Sequence, residues 1–307
     1  MNSREPRGVF TALITPFLAN LELDLHSYRR ILKDQRDAGV AGVIPCGTTG
    51  ESTTLTVEEK QILIQIALDE MKGSLTQVWA GTGTNNTRET VEFSRWASDR
   101  GVDGVLVVTP YYNKPSQLGL EQHFLAVANA VTCSVMLYNV PGRTGVALAP
   151  ATIARLAQHS RIRSIKEASG NVSLTSEIFD CLKANTASSA SFRVLSGDDA
   201  CFLPLLSLGA SGVVSVASNL FPRAMVELQN HFSEGRTEEA LKIHNHYFPL
   251  FRDLFIESNP VPIKTAMAVA SGCKEFVRAP LAALTRTHQA QLEQSLVRCG
   301  VSPGVQL

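Results

Sequence analysis

Short apolar runs and longer segments of helical period alternate along most of the chain. The runs at 8–14, 41–45, 77–80, 103–108, 134–138, 162–165, 192–195 and 212–216 are rich in Val, Ile and Leu and lack regular polar alternation. Runs of that kind are strands covered on both faces, as in a parallel sheet. Each is followed by a segment with helical spacing, at 24–38, 57–72, 86–100, 117–130, 150–158, 172–184, 199–207 and 222–233. Helix starts are marked as well. Thr56 precedes Val57-Glu58-Glu59 as in a capping box, Asn86-Thr87 stand before Arg88, and Pro222 falls in a first turn. Eight strand–helix units in succession predict a (β/α)8 TIM barrel, an α/β fold, over an open doubly wound sheet. After residue 233 the strand pattern stops. A long helix to about 254, a break at Asn259-Pro260-Val261-Pro262-Ile263 and helices near 263–271 and 281–298 predict an α-helical C-terminal appendage. The expected division is therefore 1–233 for the barrel and 234–307 for the appendage.

Composition narrows the function. The 307 residues are 44% hydrophobic and 18% charged, enough apolar material for a large core. Lys+Arg and Asp+Glu number 28 each, so no basic field is available for nucleic acid or an anionic membrane. No stretch approaches the ~20 apolar residues of a transmembrane helix. The first eight residues lack the apolar run of a signal peptide. Cysteines at 46, 133, 181, 201, 273 and 299 form no C-x-x-C pair and read as reduced residues of a cytoplasmic protein.

Barrels of this class carry their catalytic groups at the carboxyl ends of the strands. That rule selects Cys46-Gly47-Thr48-Thr49-Gly50-Glu51, Thr109-Pro110-Tyr111-Tyr112-Asn113, Tyr138 to Gly145, Lys166-Glu167-Ala168-Ser169-Gly170, Ser196-Gly197-Asp198-Asp199 and Ser215 to Asn219. A lysine at the end of a buried strand is desolvated, which favours the neutral amine that attacks a ketone to form a Schiff base. The competing reading pairs Lys166 with Glu167. Glycines around Thr48-Thr49 would leave backbone N–H groups free for a small carboxylate. A tyrosine can shuttle protons, and Arg143 can fork onto a second carboxylate. Together these groups describe a Schiff-base lyase or synthase acting on 2-keto acids.

Five of these motifs, in this order and spacing, resemble the dihydrodipicolinate synthase / N-acetylneuraminate lyase family: Gly47 to Glu51, Thr109 to Asn113, Tyr138 to Thr144, Ile165-Lys166-Glu167 and Ser196 to Asp199. The similarity runs from about residue 8 to the Asn259–Lys264 segment. It implies that Lys166 forms the Schiff base with pyruvate and that Tyr138 is the general acid/base. It further implies that Thr48 links Tyr138 to Tyr112, that Thr49 holds the pyruvate carboxylate, and that Gly197 and Val214 complete the pocket with backbone carbonyls. Arg143 would bind the carboxylate of aspartate semialdehyde. Sialic-acid-cleaving members lack an arginine in that loop, so Arg143 points to the synthase of lysine (diaminopimelate) biosynthesis. Tyr112 would reach into a neighbouring subunit, which implies a homo-oligomer, a tetramer built as a dimer of dimers. No cofactor and no metal are implied. Positions matching the family's lysine-feedback site are Ser52, Thr53, Val57, Lys60, Asn85, Glu89 and Tyr111. Lys60 places a cation where regulated members have histidine, as at Val57, so weak or absent lysine inhibition is expected.

Other features have plainer explanations. Asp198 and Asp199 suit a helix start. His244 and His246 fall on nearly opposite helix faces. Gly81-Thr82-Gly83 lacks the third glycine of a dinucleotide loop. Two alternatives stay open: an aldolase or dehydratase for another 2-keto acid, and a non-catalytic barrel that binds a keto acid.

Overall fold

The structure is a computed structural model and describes residues 5–184 and 191–301. Residues 1–4, part of the segment read as lacking a signal peptide, lie outside it.

Eight strands close a parallel barrel in sequence order: β1 (Gly8–Ala12), β2 (Gly42–Ile44), β3 (Gln77–Gly81), β4 (Gly104–Val108), β5 (Ser134–Asn139), β6 (Ile162–Glu167), β7 (Arg193–Ser196) and β8 (Gly212–Ser215). Nearly every strand residue is buried. This is the physical counterpart of apolar runs without alternation. β6 runs two residues further than the apolar pattern suggests, so Lys166 and Glu167 are strand residues rather than the start of a loop.

The chain divides into two compact units. One comprises Gln77–Val214 with the amino-terminal segment up to Gly8. It holds β3 to β8 and the helices α3 (Thr87–Asp99), α4 (Gln117–Ala130), α5 (Pro141–Thr144), α6 (Pro150–Leu156), α7 (Val172–Ala184) and α8 (Phe202–Ser207). Its core is built on Trp79, Val105, Phe124, Leu137, Ile165 and Leu195, all essentially inaccessible. Gly83 lies so close to β4 that a Cβ there would sit 3.1 Å from the Val108 side chain and collide with its backbone nitrogen. The Gly81-Thr82-Gly83 run is therefore a close approach of loop to strand.

The other unit comprises Val9–Thr76 and the chain from Ser215 onward. Its helices are α1 (Leu25–Asp37), α2 (Val57–Met71), α9 (Pro222–Ser233), α10 (Thr237–Asp253), α11 (Val261–Ser271) and α12 (Arg286–Arg298). Phe10, Phe17, Tyr28, Leu32, Ile64 and Phe251 fill its core. The capping box at α2 is complete: Thr56 Oγ1 accepts from the Glu59 N–H at 3.2 Å, and Glu59 Oε2 accepts from the Thr56 N–H at 2.9 Å. Asn86 caps α3, and Pro222 opens α9. α12 begins at Arg286 rather than near 281, because Thr285 supplies its cap, accepting from the His288 N–H. Among the described residues, the elements after 233 are all helical.

Candidate active site

In the first unit the carboxyl ends of β4 to β8 are aligned. Tyr138 on β5 lies opposite Lys166 on β6, Lys166 opposite Leu195 on β7, and Ser196 opposite Val213 on β8. Backbone bonds carry the alignment past the strand ends: Thr109 N to Tyr138 O at 3.1 Å, Ala168 N to Asn139 O at 2.9 Å and Gly197 N to Glu167 O at 2.7 Å.

Period-two alternation then separates two pairs. Tyr138 and Lys166 share one face, and both are buried. The Lys166 Nζ lies 4.4 Å from the centre of the Tyr138 ring, within cation–π range. Asn139 and Glu167 share the other face. The Asn139 Nδ2 donates to Glu167 Oε2 at 2.7 Å, and the Ser169 N–H donates to Glu167 Oε1 at 2.7 Å. The Glu167 carboxylate is thus committed away from its neighbour, and the Lys166–Glu167 pairing gives way to an amine stacked on a tyrosine. Gly197 is a glycine for a local reason. A Cβ there would lie 2.5 Å from Ala168 Cβ and 3.0 Å from both Cγ and Cε of Lys166. Its missing side chain is the room the lysine occupies. Val214 is wholly buried on β8.

Arg143 is exposed on α5, a single turn that sequence reading takes as loop. Pro141 starts the turn and Gly145, at φ 70°, ends it. Two bonds fix it from below. The Leu148 N–H donates to Asn139 Oδ1 at 3.0 Å, and the buried Thr109 and Thr144 hydroxyls meet at 3.2 Å. Neither Asn139 nor Thr144 stands out in the sequence as a supporting residue. The signal available for Asn139 is an amide inside an apolar strand.

Tyr112 is 89% exposed and has φ 73°, a conformation costly for an aromatic residue. The Asn113 N–H bonds to Tyr111 O at 2.9 Å, which makes Tyr112 the centre of a tight γ-turn. Asn113 Nδ2 also donates to Asn85 O at 2.9 Å. Tyr111 is half-buried. Burial first, then the nearby Glu89 carboxylate, push its hydroxyl pKa up, against a bond to the Asn85 backbone. Of the positions matched to lysine feedback, Asn85, Glu89 and Tyr111 are therefore neighbours in this unit.

In the second unit the β2 loop is a compact turn. The Gly50 N–H donates to Gly47 O at 3.1 Å and the Glu51 N–H to Thr48 O at 3.0 Å. The Gly50 N–H is used within the turn, so it is not one of the N–H groups of this loop that a carboxylate could use. Thr48 is half-buried and Thr49 fully buried. Ser52, Thr53, Val57 and Lys60 follow, with Val57 exposed in the first turn of α2 and the Lys60 carbonyl beside Cys46 Sγ at 3.7 Å. Burial pushes the Cys46 thiol up to about 12, which keeps it protonated and unreactive.

The appendage meets this loop at points that the motif reading passes over. Asn259 Nδ2 donates to Thr49 Oγ1 at 2.9 Å. Lys264 Nζ lies 2.5 Å from Glu51 Oε1 with both side chains inaccessible, and the Arg278 N–H donates to Glu51 Oε2 at 2.9 Å. Arg278 also forks onto Glu59, with Nη2 2.6 Å from Oε1 and Nη1 2.7 Å from Oε2. Burial lowers the Lys264 pKa to about 8, and the Glu51 charge works against that fall. One charge in the apolar run Val261 to Ala270 was the sequence signal for a buried partner.

Asp198 serves the chain turn before α8, its Oδ1 accepting from the Ala200 N–H at 2.8 Å. His244 is buried against the rings of Phe248 and Phe251. No group of three metal-ligating side chains occurs among the described residues, and no helix there is long and apolar enough to cross a membrane.

Comparison with known proteins gives a consistent result. A 4-hydroxy-tetrahydrodipicolinate synthase of Leptospira biflexa is 48% identical over 279 residues, 91% of this chain and 92% of that protein. The crystal structure of dihydrodipicolinate synthase from Thermotoga maritima matches with a TM-score of 0.93 at 38% identity, over 97% of this chain and all of the other. The chloride-inhibited dihydrodipicolinate synthase of Acinetobacter baumannii, complexed with pyruvate, matches with a TM-score of 0.91 at 36% identity over 96% of this chain and 99% of the other. The model of the dihydrodipicolinate synthetase family matches residues 5–298, and the chain belongs to that family.

Proposed function

We propose that the chain catalyses the reaction of a 4-hydroxy-tetrahydrodipicolinate synthase, the condensation of pyruvate with aspartate semialdehyde through a Schiff base on Lys166. The observation that carries this reading is the buried amine of Lys166, seated over Tyr138 in the space that Gly197 leaves open. The amine attacks the keto carbon of pyruvate. The carbinolamine loses water as Tyr138 moves a proton, and the imine draws electrons from the methyl carbon to give an enamine. That carbon adds to the aldehyde. The amino group of the semialdehyde then displaces Lys166 and closes the ring, and one water leaves overall. Thr48 and Tyr112 relay the proton, Thr49 holds the pyruvate carboxylate, and the carbonyls of Gly197 and Val214 complete the pocket.

Arg143, exposed on a turn pinned by Asn139 and Thr144, takes the carboxylate of the aldehyde. Its presence favours aspartate semialdehyde over the aldehydes of an aldolase for another keto acid. The exposed, strained Tyr112 supports an oligomer in which it is covered by a second copy, a dimer of dimers. The barrel of residues 1–233 carries the chemistry in the cytoplasm, without a cofactor, and 234–307 form the appendage. Lysine feedback is weak, because Lys60 repels a cationic effector.

Borohydride reduction with pyruvate, followed by peptide mass mapping, tests the reading. The adduct is expected on Lys166 and absent from Lys166→Ala. An adduct that persists in that variant places the reactive amine elsewhere and refutes the assignment.

A further inference from the structure

We propose that Asn259 is a positioning residue that aims the hydroxyl hydrogen of Thr49 at the substrate carboxylate. The proposal rests on the reading of Thr49 as the carboxylate-binding hydroxyl. Its own ground is geometry inside one compact unit.

A threonine hydroxyl has one hydrogen to donate and two lone pairs to accept with. Thr49 and Asn259 are both buried, and Asn259 Nδ2 donates to Thr49 Oγ1 at 2.9 Å. One lone pair is thereby occupied by an N–H. The hydroxyl hydrogen must then point away from the amide, available to an incoming acceptor. Without this bond the hydroxyl rotates freely or turns its hydrogen to the nearest acceptor. A carboxylate would then have to compete with that acceptor.

The path of the loop does not depend on this bond. Thr15 Oγ1 donates to Gly50 O at 2.7 Å, and Glu51 is gripped by Lys264 Nζ and the Arg278 N–H. Glu51 keeps a positive φ of 54°, a conformation that needs such over-determination. The two residues after Thr49 are therefore held by other partners. Removing the Asn259 donor reorients a hydroxyl and leaves the backbone beneath it in place.

The test is a double-mutant cycle read by steady-state kinetics, with melting temperature recorded for each variant. Thr49→Val tests the underlying reading and is expected to raise KM for pyruvate by about tenfold or more, the size of one hydrogen bond to a charged group. Asn259→Asp replaces the donor with an acceptor and is expected to raise it comparably. Its kcat at saturating pyruvate and its KM for the aldehyde should move less than about threefold, because the pyruvate contact that is lost is made equally in the bound and transition states. In the Thr49→Val background, Asn259→Asp should add nothing. Asn259→Ala removes the donor without adding charge and carries the same cycle should the aspartate variant not fold. Full additivity of the two substitutions, or an equal loss in kcat and in both KM values, overturns the positioning role. An unchanged pyruvate KM in Thr49→Val overturns the reading of Thr49 itself, a result distinct from a failure confined to Asn259.

Discussion

Gly197→Ala is the substitution that most directly probes the space around the Lys166 amine. The added Cβ would lie 2.5 Å from Ala168 Cβ and 3.0 Å from Cγ and Cε of Lys166. Ordinary carbon–carbon contact begins near 3.5 Å, so the overlaps are about 1 Å with Ala168 and about 0.5 Å with the lysine. The backbone cannot simply retreat, because the Gly197 N–H is bonded to Glu167 O at 2.7 Å. Overpacking of this size costs roughly 1–3 kcal/mol, or about 1.5–5 °C in melting temperature for a chain of this length. The variant should therefore remain folded at 25 °C. The amine should be displaced by a sizeable fraction of an ångström, and a 1 Å misplacement of a reacting group costs on the order of 100-fold. We expect the initial rate of borohydride-trapped pyruvate adduct to fall about 10- to 100-fold, followed by intact mass over time. Adding Ala168→Gly removes the nearest obstacle and should recover most of the melting temperature. It should recover less of the rate, since both contacts with Lys166 persist. A Gly197→Ala protein that traps pyruvate at the native rate with an unchanged melting temperature would refute the claim that this glycine exists to house the lysine.

Three further outcomes can be checked. Lys264→Met leaves the Glu51 carboxylate buried without its cation and should cost about 3–5 kcal/mol, seen as a large drop in melting temperature; Lys264→Met/Glu51→Gln should regain much of it, and a single variant as stable as wild type would show the pair to be dispensable. His123 is buried, with Nδ1 bonded to the Thr87 hydroxyl, and burial lowers its pKa from 6.5 to about 4. Between those values the unfolded chain binds a proton that the folded protein refuses. His123 therefore contributes stability that is complete above about 6.5 and lost as pH falls towards 4, up to ~3 kcal/mol in all. His123→Gln should flatten the pH dependence of the melting temperature in that window, and parallel curves would contradict the assignment. Arg143→Ala should spare the pyruvate adduct while raising KM for the aldehyde; equal damage to both steps would deny Arg143 its separate role.

Much of this molecule follows from local pattern. Strands buried on both faces must be continuous in Val, Ile and Leu, and helices must start at a residue that satisfies their first N–H groups. The eight strand–helix units, the Thr56 box and the strand-end position of Lys166 were therefore legible from spacing alone. Burial periodicity and capping act between residues a few positions apart, and the chain states them directly.

Tertiary structure decided what depends on the route of the chain. Asn259 meets Thr49 across 210 residues and Lys264 meets Glu51 across 213, and no spacing rule links them. A polar side chain in an apolar segment announces that a partner exists, but its identity depends on which elements the fold brings alongside. The sequence shows a glycine at 197, and the clash a Cβ would make with Lys166 shows why it is one. The barrel and the lysine at the end of its sixth strand belong to the sequence. The supports that hold the loop after β2 come into being only when distant segments desolvate one another's polar groups and must satisfy them.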